Sequence, residues 1–170
     1  MTLNDIQYLL AVDGIRNTKA RYCRYMDTKQ WGLMPDLFTA DCHVEGFDSA
    51  PDGANASKLV EGLSNRFKDA ISVHHCHMGE VEITGVGEAR AIWAMEDFVE
   101  WPDNVPSTPT APRGFYGYGH YEEAYRLTEG VWKIAHMRLT RLRIDLIPDS
   151  QDRPLPGRRR ADPHWLESKR

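Results

Sequence analysis

The sequence predicts an α+β fold: N-terminal helices packed on one face of a strongly curved, mostly antiparallel sheet. Three observations predict it. Helical apolar spacing is confined to roughly the first 70 positions, four long strand candidates follow, and turn residues separate those strands. A sheet bent this far and covered by helices leaves a cone-shaped hollow that suits a small molecule.

The elements follow in chain order. From about residue 3 to 26, Ile6, Leu9, Leu10, Ile15, Thr18, Tyr22 and Met26 approximate a 3.6-residue period, with Thr2 and Asp5 placed as a capping box. Gly14 weakens this helix by up to ~1 kcal/mol relative to Ala. Asp27, Thr28 and Lys29 break the pattern, and Trp31, Met34, Leu37 and Phe38 predict a short second helix. A short strand is expected at 42–47 and a loop at 48–56, after which Ser57 would cap a helix carrying Leu59, Val60, Leu63 and Phe67. Strands are expected at 72–84, 89–101, 114–127 and 131–144, and in the second of them Ala89, Ala91, Trp93 and Met95 share one face.

The 170 residues suit one domain, expected at 1–146, followed by a Pro/Arg-rich tail at 147–170. The formal charge is −4, and the tail carries six Lys/Arg against four Asp/Glu, so the preceding body stands at −6. An acidic body makes a poor footprint for a phosphate backbone, so nucleic acid is not expected as a partner. Arg158, Arg159 and Arg160 then read as part of a solvated or interface-capping arm. No apolar run approaches the roughly 20 residues of a membrane span, and the first residues lack a leader pattern. Three scattered cysteines without a CxxC pair argue against a disulfide framework or zinc ribbon and for reduced thiols in a cytoplasmic setting. The apolar outer face expected for such a sheet points to a homo-oligomer.

The densest chemistry lies in Ser72-Val73-His74-His75-Cys76-His77-Met78-Gly79-Glu80. On a strand, His74, Cys76 and Met78 face one way and His75 and His77 the other, unless a bulge near Gly79 resets the register. An inward imidazole among apolar side chains is held neutral, the form that accepts a proton. It becomes an effective base when a carboxylate fixes its tautomer and steadies the imidazolium. Asp27, at the break of the first helix, either caps the following short helix or supplies that carboxylate. His75 and His77 invite a metal reading, but zinc or iron needs three or four converging ligands and none follows at cupin-like spacing, so no metal is expected. Gly117-Tyr118-Gly119-His120 lies in strand context and is no dinucleotide fingerprint.

Three stretches carry a resemblance: RYCRYMDTKQWGLMPDLFTADCHVEG, SVHHCHMGEVEITGVGEARAIWAMEDFV and GYGHYEEAYRLTEGVWKIAHMRLTRLRID. Over about residues 5–146 the chain resembles SnoaL-like domains of the NTF2-like superfamily. It looks most like the branch of scytalone dehydratase, hexachlorocyclohexane dehydrochlorinase and bile acid 7α-dehydratase. The resemblance implies a cone-shaped α+β barrel and a cofactor-independent, dehydratase-like lyase acting on a cyclic or aromatic small molecule. It places a catalytic His–Asp dyad on His74 and Asp27, with Tyr22 assisting the leaving group or developing enolate. Trp93, Met95 and Tyr121 would hold a flat ring. The basic residue that the dehydrochlorinase carries on its last strand falls at Met137, beside Arg138. The same superfamily holds isomerases, cyclases, carbon–carbon lyases and noncatalytic binding or assembly modules, which stay open as alternatives.

Overall fold

The computed structural model describes residues 4–102, 113–148 and 165–166. The tail at 147–170, apart from four of its residues, and the proline-rich stretch after residue 102 lie outside what is described, as does Thr2. Helix α1 (Asp5–Asp27) is capped by Asn4. Its side chain accepts the Gln7 N–H at 2.9 Å while the Gln7 side chain accepts the Asn4 N–H at 3.0 Å. The expected box at Thr2 and Asp5 is thus displaced by two residues, because only Asn4 has a long amide three positions on to reciprocate.

The short second helix is a 3₁₀ turn, Met34–Leu37, started by Pro35. Phe38 opens strand β1 (Phe38–Glu45), earlier than the expected strand at 42–47. A register shift between Phe38 and His43 hides the alternation that would have marked its start. Strand β2 (Ala54–Asn55) lies inside the expected loop and is too short to show a period. Helix α2 (Ala56–Phe67) is capped by Asn55, whose side chain accepts the Lys58 N–H, rather than by Ser57. It buries Leu59, Val60, Leu63 and Phe67. Strands β3 (Ile71–Gly85), β4 (Glu88–Glu100), β5 (Gly114–Thr128) and β6 (Val131–Leu146) then form a meander.

The sheet order is β2-β1-β6-β5-β4-β3. Every pairing is antiparallel except β1 with β6. The α+β class and curved mixed sheet match expectation, but β2 and β3 remain edges, so the barrel is not closed. Bulges set which residues face the helices. Between Cys76 and Gly79 the β3 register slips against β4, leaving Met78 exposed and putting Gly79 under the Trp93 ring, where any Cβ would collide with it. Met78 therefore does not share the inner face with His74 and Cys76. Two further shifts in the β5–β6 pairing, at Tyr118/Gly119 and Ala124/Tyr125, reset the parity of the last strand.

Most of the core is apolar, including Ile15, Met26, Met34, Val44, Leu59, Ile134 and Met137. One ion pair is sunk in it. Lys19 Nζ on α1 lies 2.5 Å from Glu123 on β5, with side chains 1% and 0% exposed. The Tyr125 hydroxyl also donates to Glu123, and the ammonium sits 3.3 Å from the Tyr121 ring centroid. Burial works against the Lys19 charge, yet the adjacent Glu123 carboxylate carries its pKa upward on balance. Breaking a buried pair strands the remaining charge, which costs about 3–5 kcal/mol, whereas removing both partners is often nearly neutral. Lys19→Met is accordingly expected to lose about 3–5 kcal/mol in urea denaturation, and Lys19→Met/Glu123→Leu to regain most of it.

Candidate functional site

Asp27 closes α1, where the negative end of the helix dipole makes a carboxylate unwelcome. Thr28 satisfies the helix end instead, its hydroxyl donating to the Arg24 carbonyl at 2.6 Å. The Asp27 side chain turns to β3 and accepts three hydrogen bonds there. The Ser72 hydroxyl donates at 3.0 Å, the His74 backbone N–H at 2.8 Å, and the His74 ring nitrogen Nδ1 lies 2.6 Å away. An ionised carboxylate only accepts, so Nδ1 carries the proton and Nε2 is left as the acceptor.

Beyond Nε2, at 3.9 Å, stands Asp97 of β4. This carboxylate is buried and clamped from the other side by Arg141 of β6, through bonds of 2.9 and 2.7 Å. The bidentate guanidinium offsets the Asp97 charge and fixes its plane. Nε2 therefore faces a carboxylate that is already shared with Arg141. Gly117, paired with Asp97 on β5, makes the crossing possible: a Cβ there would overlap both Asp97 and Arg141.

His74, Asp97 and Arg141 border a cavity of about 240 Å³, smaller than the ~300–1,000 Å³ of drug-sized sites. Its apolar wall includes Met26, Phe47, Phe67 and Leu139, and its polar margin Asp48, Ser49 and Arg66. Tyr22 and Tyr121 line it as well, packed edge to face at 5.9 Å. Burial, the largest cause, pushes both phenols well above their ordinary pKa, so each stays a hydrogen-bond donor.

Of the residues singled out from sequence, Asp27, His74, Tyr22 and Tyr121 meet at this cavity, although Asp27 reaches it through the His74 ring. Trp93 and Met95 do not line it. Trp93 lies beneath α1 over Gly79, and Met95 lies under Arg141, its sulfur 3.6 Å from the guanidinium. Only the Asp97 end of that β4 face opens into the hollow. Sequence reading missed Asp97 and Arg141. Alternation from Met95 leads directly to Asp97, and that signal was available. Arg141 shares its face with Met137 and Leu139, whereas Arg138, the residue singled out beside Met137, is exposed and pairs with Glu122 at 3.4 Å.

His75 and His77 point to solvent, with His75 3.2 Å from Glu96. Among the described residues, metal-ligand atoms do converge elsewhere: His43, Glu45 and His136 bring theirs within 4.8 Å of one another. A tetrahedral zinc needs its ligands about 3.4 Å apart, and Glu45 already pairs with His136 at 3.2 Å. No helix among the described residues is long and apolar enough to cross a membrane.

Residues 7–138 match the model of the SnoaL-like domain. A curated relative, "Probable cyclase FGR4" of Gibberella zeae, is 25% identical over 143 residues, covering 75% of this chain and 89% of its own. A type 2 hexachlorocyclohexane dehydrochlorinase superposes with a TM-score of 0.73 at 12% identity, covering 89% of this chain and 98% of its own. A protein of Novosphingobium aromaticivorans, provisionally named a scytalone dehydratase, superposes at 0.66 with 19% identity, covering 91% of this chain and 97% of its own.

Two outcomes test the geometry. Gly117→Ala is expected to force the Asp97–Arg141 pair apart and to lower stability by about 1–3 kcal/mol, read by thermal denaturation. Lys29, whose ammonium donates to Ser72 at 2.8 Å, has its pKa pushed down by burial to about 8 despite Asp27 nearby. Its unfolded form keeps the ordinary value of 10.5, so between these values the unfolded chain binds more protons and stability rises with pH. Wild type should gain stability relative to Lys29→Gln as pH climbs from about 8 towards 10.5, checked by urea denaturation at stepped pH.

Proposed function

The chain belongs to the SnoaL-like domain family, and on that premise we propose that it is a cofactor-independent lyase, dehydratase-like, acting on a small cyclic or aromatic compound. The observation that carries this reading is the 2.6 Å contact between Asp27 and His74 Nδ1, with Nε2 turned towards the cavity. That family places small-molecule-processing enzymes in this fold, and relatives named cyclase, dehydrochlorinase and dehydratase support catalysis here.

His74 Nε2 takes a proton from a carbon next to an electron-withdrawing group. Asp27 holds the ring in the correct tautomer and, with Asp97, stabilises the imidazolium. The C–H bonding pair becomes the new C=C bond as the C–O bond breaks, and the leaving hydroxyl takes the abstracted proton from the His74 imidazolium to depart as water. Tyr22, a donor at every physiological pH, sits where it can hydrogen-bond that group or the developing enolate. Tyr121 and Phe47, stacked with centroids 6.4 Å apart, offer a flat apolar wall in the place first assigned to Trp93 and Met95. The cavity volume favours a substrate smaller than a drug-sized ligand.

An isomerase or cyclase would use the same base, and the cyclase name of one relative favours keeping that second reading. We also propose a homo-oligomer, dimer or trimer, because Val73, Ile92, Tyr116 and Tyr118 expose apolar surface on the outer face of the sheet.

A panel of hydroxylated cyclic compounds, followed by mass spectrometry for loss of water, tests the reaction class. His74→Ala is expected to lower kcat by at least ~10²–10⁴-fold, the usual contribution of a general base, while leaving the folded fraction unchanged. Asp27→Asn should slow turnover severely, with Asn retaining the shape but not the charge. Full activity in either variant overturns the dyad, and isomerised or cyclised product without loss of water selects the second reading.

A further inference from the structure

A second reactive pair lies one step along the same two elements and takes no part in the proton transfer described above. Cys23 stands one helical turn before Asp27 on α1, and Cys76 stands two residues after His74 on the same face of β3. Their sulfurs are 3.4 Å apart although the residues are 53 positions apart in sequence. Both thiols are free, Cys23 buried and Cys76 partly open. They border a groove with Arg16, Lys19 and His77, so a small solute can reach them from the side away from the cavity. Cys42, the third thiol, is buried elsewhere in the core, with its sulfur on its own strand's His43 carbonyl.

We propose that Cys23 and Cys76 form a peroxide-reactive dithiol that closes to an intramolecular disulfide, pinning α1 to β3 beside the Asp27–His74 contact. A disulfide requires the sulfurs to approach by about 1.4 Å, to ~2.05 Å. Side-chain torsion can supply this, since the two sulfurs already face each other. Cys76 is the attacking member. The hydrogen bond from Cys23 lowers its pKa, burial opposes this, and the Lys19 ammonium lowers it further. The same hydrogen bond, followed by burial, pushes Cys23 up, so it remains the protonated partner.

The step balances with a peroxide as the oxidant. The Cys76 thiolate attacks one peroxide oxygen, the O–O bond breaks, and the departing hydroxide leaves as water after taking up a proton. Cys76 is now a sulfenic acid. The Cys23 thiol gives up its proton and attacks the Cys76 sulfur, expelling a second water as the S–S bond forms. Two thiols have lost two electrons to one peroxide, yielding one disulfide and two waters.

The readouts are chemical and independent of turnover, so they remain informative if the proposed lyase activity fails. The reduced full-length chain is treated with a small excess of hydrogen peroxide near neutral pH. Free thiols are then titrated after denaturation, and an unreduced digest is mapped by mass spectrometry. Thiols are expected to fall from three to one, with the monomer lighter by two hydrogens, a Cys23–Cys76 linked peptide present and Cys42 still open to alkylation. Cys42→Ser should form the link at the wild-type rate. Cys23→Ser should stop at a Cys76 sulfenic acid that dimedone traps. If that variant does not fold, the wild-type map alone decides. Persistence of all three thiols, preferential consumption of Cys42, or links only between chains would overturn the proposal.

Discussion

The placement of one carboxylate at the wrong end of a helix organises this molecule. At the C-terminus of α1 the backbone carbonyls repel the Asp27 charge. The compensation comes from β3: a hydroxyl, a backbone amide and an imidazole, 45 to 47 residues away in sequence. Local preference and tertiary structure therefore disagree at Asp27. Such disagreement is where function tends to reside, since a carboxylate kept only for stability would sit better at a helix start. The same bonds lock the tautomer of His74, so what anchors the helix to the sheet also equips the proposed base.

The second requirement is room. A His between two carboxylates would be electrostatically overloaded unless one of them were occupied, and Arg141 occupies Asp97. That ion pair must cross β5, and it can do so because residue 117 has no side chain. Beneath it, the buried Lys19–Glu123 pair keeps the floor of the site polar while Tyr22 and Tyr121 cover the ammonium. The polar groups thus form two layers, one bordering the hollow with the Asp97–Arg141 pair and one behind it with the Lys19–Glu123 pair.

Much of this was legible in the chain. Periodicity gave the long helix, the amphipathic α2 and all four long strands, because each runs far enough for its pattern to exceed the noise. Both caps lie two residues from the expected ones, since Asn4 and Asn55 compete with equally plausible neighbours and only the reach of the partner amide decides. Strand β2 was invisible, as two residues have no period. Within the site, His74 and Asp27 could be paired through resemblance, and Asp97 could have been found by extending one alternation. Arg141 was harder. It follows Met137 and Leu139 by simple alternation, but the irregularities that flank this stretch of β6 are set by pairing with β5 and hide how far that alternation runs. Trp93 and Met95 were assigned to the correct face but the wrong stretch of it, because sequence does not say how much of a sheet a helix will cover.

The bulge after Cys76 also matters at the rim of the molecule. Strand β3 is 15 residues long and lies at the margin of the sheet, where the His74 N–H is taken by Asp27 and the Val81 carbonyl by Tyr8 but no strand among the described residues pairs on that side. A flat ribbon of that length would be a template for another chain. Here His77 and Met78 both swing outward, the pleat is interrupted, and Glu80 and Glu82 place negative charge on the stretch beyond. The irregularity that seats Trp93 inside thus also guards against the indiscriminate strand-to-strand sticking that leads to fibres.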